Sequence, residues 1–274
     1  MANATKAATA KKETSGSNLF ASLSIVICIL VGVILWKFVM GNGSNFEGGD
    51  NSGHPLPGNY FGMVYKGGIV VPVLMGLLLM VVVFSFERFF VISKAAGKGN
   101  VDAFVKKIQG LLSAGNIDAA SAECDKQEGS VANVIKAGLK KYKEVEAEKN
   151  MDTEQKCLAI QKDIEEATAL EMPMLEQNLT IIATLVSIGT LMGLLGTVTG
   201  MIKAFSAIAT AGAPDQSQLA NGISEALINT ATGISTSALA IIMYNVFTSK
   251  IDKLTYSIDE AGFSIVQTYA STHK

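Results

Sequence analysis

Arginine is nearly absent from this chain of 274 residues: Arg88 is the single one among 22 basic residues. Bidentate guanidinium clamps on phosphate are therefore all but excluded, and a net charge of −2 offers no basic face to nucleic acid. Histidine is as scarce. His54 and His273 stand far apart in polar stretches, and a zinc site needs about four N, S or O ligands around one point, so neither a metal nor a cofactor is expected. The three cysteines show no CxxC spacing. Cys28 lies in an apolar run, Cys124 and Cys157 in a lysine-rich segment, a pattern that suits reduced thiols. A nucleophile elbow and a phosphate loop are missing too, so no enzyme class is indicated.

What the chain has is apolar length. Apolar residues make up 49% and charged residues 17%, and the charges cluster so that four runs stay almost uncharged. A bilayer span takes ~20 apolar residues. The runs are Leu19 to Met40, Ile69 to Phe86, Leu179 to Ile202 and Ala226 to Ser249. The first exceeds the ~7–15 residue core of a secretory signal and is followed by a poor cleavage site, Gly41-Asn42-Gly43, so it reads as a retained helix rather than a cleaved signal.

Lysine placement orients the spans. Lys6, Lys11 and Lys12 precede the first run, twelve lysines fall in residues 93–172, and Lys250, Lys253 and Lys274 follow the last. The loop 41–66 has only Lys66, and the turn around Pro214 has none. The expected fold class is an all-α polytopic membrane protein with four transmembrane helices and a helical cytoplasmic domain. Its segments are a cytoplasmic tail (1–18), an extra span (19–40), a periplasmic loop (41–66), a second span (67–92), the cytoplasmic domain (93–172), a transmembrane hairpin (173–253) and a cytoplasmic tail (254–274). In the cytoplasmic domain, Val101, Phe104, Val105, Ile108, Leu111 and Leu112 recur at helical spacing up to Gly115-Asn116. Shorter helices are expected over Ile117 to Asp125 and Val131 to Tyr142, and one from Asp152 that continues into the third span.

The hairpin carries the polar residues. Gly189, Gly193, Gly196 and Gly200 fall within about 60° on one helix face, a stripe for helix packing, with a neighbouring subunit or partner as the expected occupant. In an antiparallel pair folded at Pro214, Thr197 faces Thr230 at one depth, ~25 Å of helix from the turn. Lys203 faces Glu225 about 16 Å from it. A carboxylate inside a span suggests an ion or proton path; Lys203, from the same or a neighbouring subunit, is its expected ion-pair partner. An inert pair snorkelling to the interface is the other reading of these charges, and hydroxyls bonding their own helix the other reading of the threonines. Lys37 and Glu87-Arg88 stand at span ends, where snorkelling accounts for them.

Two motifs resemble a known family. The run Gly193 to Gly200, followed by Met201 to Phe205, is similar to GLLGTVxGxxxxF of the MotA/TolQ/ExbB proton channel family. Gly222 to Gly233 is similar to its GIxEALxxTAxG, extended by Ile242 to Val246, and Gly129 to Leu139 is family-like. The resemblance covers about Gly67 to Lys253 and is nearest to ExbB-like members. It implies a bacterial inner-membrane pentamer around a single-span ExbD- or TolR-like partner that supplies a proton-binding aspartate. Thr197 and Thr230 would line the path, with Glu225 in the same channel, and motion would pass to a TonB-like protein that serves outer-membrane transport. TolQ-like envelope or gliding-motor roles share the motifs, and a membrane scaffold without ion flux is the reading of another class. The chain departs from the pattern at Lys203, where relatives carry Asn or His, at the more polar Asn229 and Thr232, and in its extra first span.

Overall fold

The computed structural model describes residues 19–210 and 216–273; the expected tail 1–18 and the turn at Pro214 lie outside the described residues. The helices are α1 (Leu19–Met40), α2 (Tyr60–Tyr65), α3 (Val71–Ala96), α4 (Val101–Ser113), α5 (Ile117–Gln127), α6 (Gly129–Ala147), α7 (Thr153–Glu176), α8 (Leu179–Thr210) and α9 (Gln216–Thr272). No strand occurs among the described residues. Helices α1, α3, α8 and α9 carry stretches long and apolar enough to cross a membrane. The chain is an all-α polytopic membrane protein. Its contacts form two compact units, one from the chain up to Ser85 with Thr180–Tyr244, the other from Phe86–Leu179 with the chain from Asn245 onward.

In the first unit α1 lies on α3 at a contact of glycine with glycine. A Cβ on Gly32 would stand 2.8 Å from Gly76 N, and one on Gly76 would stand 3.0 Å from Ile29 Cα, so the two backbones touch. The last turns of α1, Leu35–Met40, widen to a π-helix. Asn45 then donates through Nδ2 to Val39 O and Met40 O, both at 2.9 Å, which satisfies carbonyls left open at the helix end. Trp36 stacks on Tyr65 at 4.8 Å and donates from Nε1 to Tyr65 O. The loop 41–66, for which no structure was expected, is thus folded against the end of α1.

The second unit is a helical core. Phe104, Val105, Ile108 and Leu112 of α4 are buried, as are Val131, Ile135, Leu139 and Tyr142 of α6. Burial also pushes the Cys124 thiol up to about 12, so it stays protonated at neutral pH. Two expectations need correction here. Of residues 254–274, read as a tail, those up to Thr272 continue α9 as packed helix: Leu254, Ile258, Ala261, Ile265 and Tyr269 are buried at intervals of three or four, and Ile265 and Ile164 both close on Gly138. Tyr269 meets Tyr142 edge to face at 4.7 Å.

The second correction concerns entry into the third span, which is not one continuous helix. The chain turns at Gln177 (ψ 141°) and at Asn178, whose φ of 62° is rare for a residue other than glycine. Met174 O and Leu175 O thereby lose their helical donors. Arg88 supplies replacements from Nη1, at 3.1 and 3.2 Å. Its other face forks onto Glu87, whose carboxylate also accepts from Asn178 Nδ2 at 3.3 Å. Arg88 is 1% exposed, so the snorkelling read for it from sequence is overturned: the guanidinium is consumed by the helix break.

Replacing Arg88 by Met should destabilise the detergent-purified protein by about 3–5 kcal/mol, the cost of breaking a buried pair, and a further Glu87→Leu should recover part of it in a denaturant titration. Tyr269 OH is buried with no hydrogen-bond partner; Tyr269→Phe should therefore leave Tm unchanged or higher, whereas Tyr269→Ala should cost roughly 3–5 kcal/mol, as for other large aromatics.

Candidate functional site

Helices α8 and α9 of the first unit pair antiparallel, and their contact is built on missing side chains. A Cβ on Gly189 would stand 2.7 Å from Ser237 Oγ, one on Gly193 3.1 Å from Gly233 Cα, and one on Gly200 2.8 Å from Gly222 O. At Gly196 it would collide with the Asn229 side chain. From the other helix, a Cβ on Gly233 would stand 2.7 Å from Gly193 Cα and one on Gly222 2.7 Å from Ala204 Cβ. The stripe is therefore filled by the chain's own α9, not by a neighbouring subunit as the sequence suggested.

That closeness lets short side chains reach across. Thr197 Oγ1 and Thr230 Oγ1 are hydrogen-bonded to each other. Thr230 also reaches Ala226 O at 3.1 Å, and Thr197 reaches Gly193 O at 3.2 Å and Ala226 O at 3.4 Å. A hydroxyl has one proton and two acceptor sites. Two proton arrangements are thus open: Thr197 donates to Thr230 while Thr230 donates to Ala226 O, or Thr230 donates to Thr197 while Thr197 donates to a carbonyl. A second cross-helix set lies farther along, Thr190 donating to Ser237 at 2.8 Å and Ser237 to Val186 O at 2.7 Å. Thr199, Thr232, Ser235 and Thr236 instead bond carbonyls of their own helix, as hydroxyls in helices ordinarily do.

The charged pair closes within this chain. Lys203 Nζ donates to Glu225 Oε1 at 2.6 Å. The lysine side chain is 55% exposed and the carboxylate 11%, so the lysine stem reaches outward over a covered acid. The cover was not foreseen. Gly67 and Gly68 form the turn before α3, and Gly68, at φ 78°, lies so close to Glu225 that a Cβ would strike Oε1. Asn229, one turn after Glu225, donates from Nδ2 to Gly67 O at 2.8 Å and is fully buried. The signal for both was present as a glycine pair at the head of an apolar run and an amide inside a span. Among the described residues no group of three or more His, Cys, Asp or Glu side chains converges as a metal site would require.

Residues 126–260 match the MotA/TolQ/ExbB proton channel family, a stretch that contains Thr197, Lys203, Glu225, Asn229 and Thr230. The chain is 27% identical to the Tol-Pal system protein TolQ of Pseudomonas aeruginosa over 70% of its own length and 84% of that protein. It is 35% identical to an ExbB-like biopolymer transport protein of Synechocystis over 31% of its length and 42% of that protein. With the biopolymer transport protein ExbB of Pseudomonas putida the identity is 33%, over 31% of this chain and 26% of the relative. The match thus spans well under two-thirds of these ExbB proteins. Motif order and the paired hydroxyls fall within a stretch, just under half of the chain, that matches the MotA/TolQ/ExbB proton channel family.

Proposed function

We propose that this protein is the proton-channel subunit of a stator-type motor in the bacterial inner membrane, with Thr197 and Thr230 on the proton path. The observation that carries the reading is the hydroxyl pair itself, joined across two spans and hydrogen-bonded in two interchangeable ways. Neither α8 from Leu179 to Ile202 nor α9 from Ala226 to Ser249 contains an Asp, Glu, His, Lys or Arg. The hydroxyls can pass a hydrogen bond along but cannot hold a charge, so the titratable group comes from another chain, an ExbD- or TolR-like single-span partner. Leu191, Leu194, Leu195 and Val198 of α8 and Leu227 and Ile234 of α9 are exposed in the single chain. These apolar faces suit a pentamer of subunits, the partner helix and lipid.

The work done is TonB-dependent outer-membrane transport in the ExbB-like reading, through a TonB-like protein. Similarity over 84% of a TolQ favours a Tol-Pal role as the second reading. Deletion of the gene separates them: loss of energised uptake supports the first, loss of envelope integrity with normal uptake the second. Glu225 and its partner Lys203 stand at the mouth of the path.

Thr197→Val and Thr230→Val preserve shape and remove the hydroxyls. The double variant should assemble normally, while proton flux through reconstituted complexes and the work it drives fall at least about tenfold, the factor that ~1.4 kcal/mol represents. Normal flux in the double variant would take the two hydroxyls off the path, and a wild type that passes no protons would leave a structural scaffold as the function. The lysine asymmetry also predicts cytoplasmic ends. A cysteine placed in loop 41–66 should react with an impermeant thiol reagent from the periplasm, and one beside Lys253 should not.

A further inference from the structure

Asn229 is fully buried in the first unit, yet half of its amide has nothing to bond. Nδ2 donates to Gly67 O at 2.8 Å, while Oδ1 finds no donor among the described residues. The amide cannot be turned over to relieve this, because Oδ1 would then face a carbonyl oxygen. It is also held in place: α8 has a glycine, Gly196, where any Cβ would collide with the Asn229 side chain. A buried amide oxygen without a donor is expensive to keep, and an alanine at this position of α9 would avoid the cost. The pocket made for the amide by Gly67 and Gly196 indicates that Oδ1 has work to do.

We infer that Asn229 Oδ1 seats an internal water that joins Glu225 to the Thr197–Thr230 pair. Glu225 is four residues before Asn229, a rise of ~6 Å, and Thr230 is one residue farther. That rise exceeds one hydrogen bond, whereas two in series through a water, ~5.5 Å, together with the reach of the side chains themselves span it. Lys203 occupies Glu225 Oε1, leaving the second carboxylate oxygen as acceptor for a water proton. Whichever of Thr197 and Thr230 is not donating within the pair can turn its proton from a carbonyl to the water, whose own two protons go to Asn229 Oδ1 and to the carboxylate. A water with these partners has the two to four polar contacts that a buried water requires. Asn229 is then a positioning residue, and the role of its water in proton flow rests on the channel reading above.

The test uses the complete complex with its partner chain. A map of the assembled wild type at a resolution that reveals ordered water should place one within hydrogen-bond distance of Asn229 Oδ1; a side-chain donor from another subunit there, or no density, overturns the inference. In reconstituted complexes of unchanged mass, Asn229→Leu, which fills the space and removes the acceptor, should lower proton flux about tenfold. Asn229→Ser, which leaves room for water and a polar anchor, should restore most of it. Equal loss in both variants would mean that Asn229 only packs, and unchanged flux in both would remove the water from the path. A wild type that passes no protons would refute the channel reading alone, since the map still decides whether the water is there.

Discussion

A bilayer offers no water to a stranded polar group, so the distance between α8 and α9 determines which polar residues these helices can carry. Ordinary helix pairs keep axes about 8–10 Å apart, too far for two threonines to meet across the seam. Here the seam is Gly189, Gly193, Gly196 and Gly200 against Gly222, Asn229 and Gly233, and backbone approaches backbone. Thr197 and Thr230, flanking that seam, come within hydrogen-bond contact. The glycines and the threonines are one device: without the first, the second would each fold back onto a carbonyl of its own helix, as Thr199 and Thr232 do.

Along the hairpin the polar groups form a graded series. Thr190 with Ser237 comes first, then Thr197 with Thr230, then Asn229, and last Glu225 with Lys203. From Thr190 to Lys203 the rise is ~20 Å, most of the ~30 Å hydrocarbon thickness. Charge is confined to one end of this series, where Lys203 can reach outward. Elsewhere each member is a neutral group able to donate and accept. Away from that end, no member of the series is acidic or basic enough to hold a charge.

The sequence was informative wherever a periodicity or a cost was large. Four almost uncharged runs were each long enough to be spans. The antiparallel register followed from the turn and put Thr197 opposite Thr230 and Lys203 opposite Glu225, and the structure joins both pairs. It was silent where the answer depended on which surface fills which. A glycine stripe states that something comes close, not whether it is another subunit or the next helix of the same chain. The helix from Leu254 to Tyr269 was legible in its three- and four-residue apolar spacing, but the lysines and serines among them gave it the look of a tail. The stop at Gln177-Asn178 was harder to see. Pro173 is tolerated inside α7, and neither following residue is a glycine that would announce a left-handed turn.

Scarcity itself proved to be a pointer at Arg88. A chain that uses lysine for every other basic position places its one guanidinium at 1% exposure. Lysine could not serve there: its ammonium is a strongly hydrated point charge, whereas the site asks for donors in two directions from a planar group. One edge meets two carbonyls left open by the turn at Asn178, the other meets a carboxylate that also takes the Asn178 amide. The helix break before α8 and the solitary arginine therefore require each other. An unbroken helix from α7 into α8 would satisfy Met174 O and Leu175 O by itself and leave the guanidinium buried with only half its donors used. Where a residue type is this rare, the chemistry it alone can perform is the first thing to look for around it.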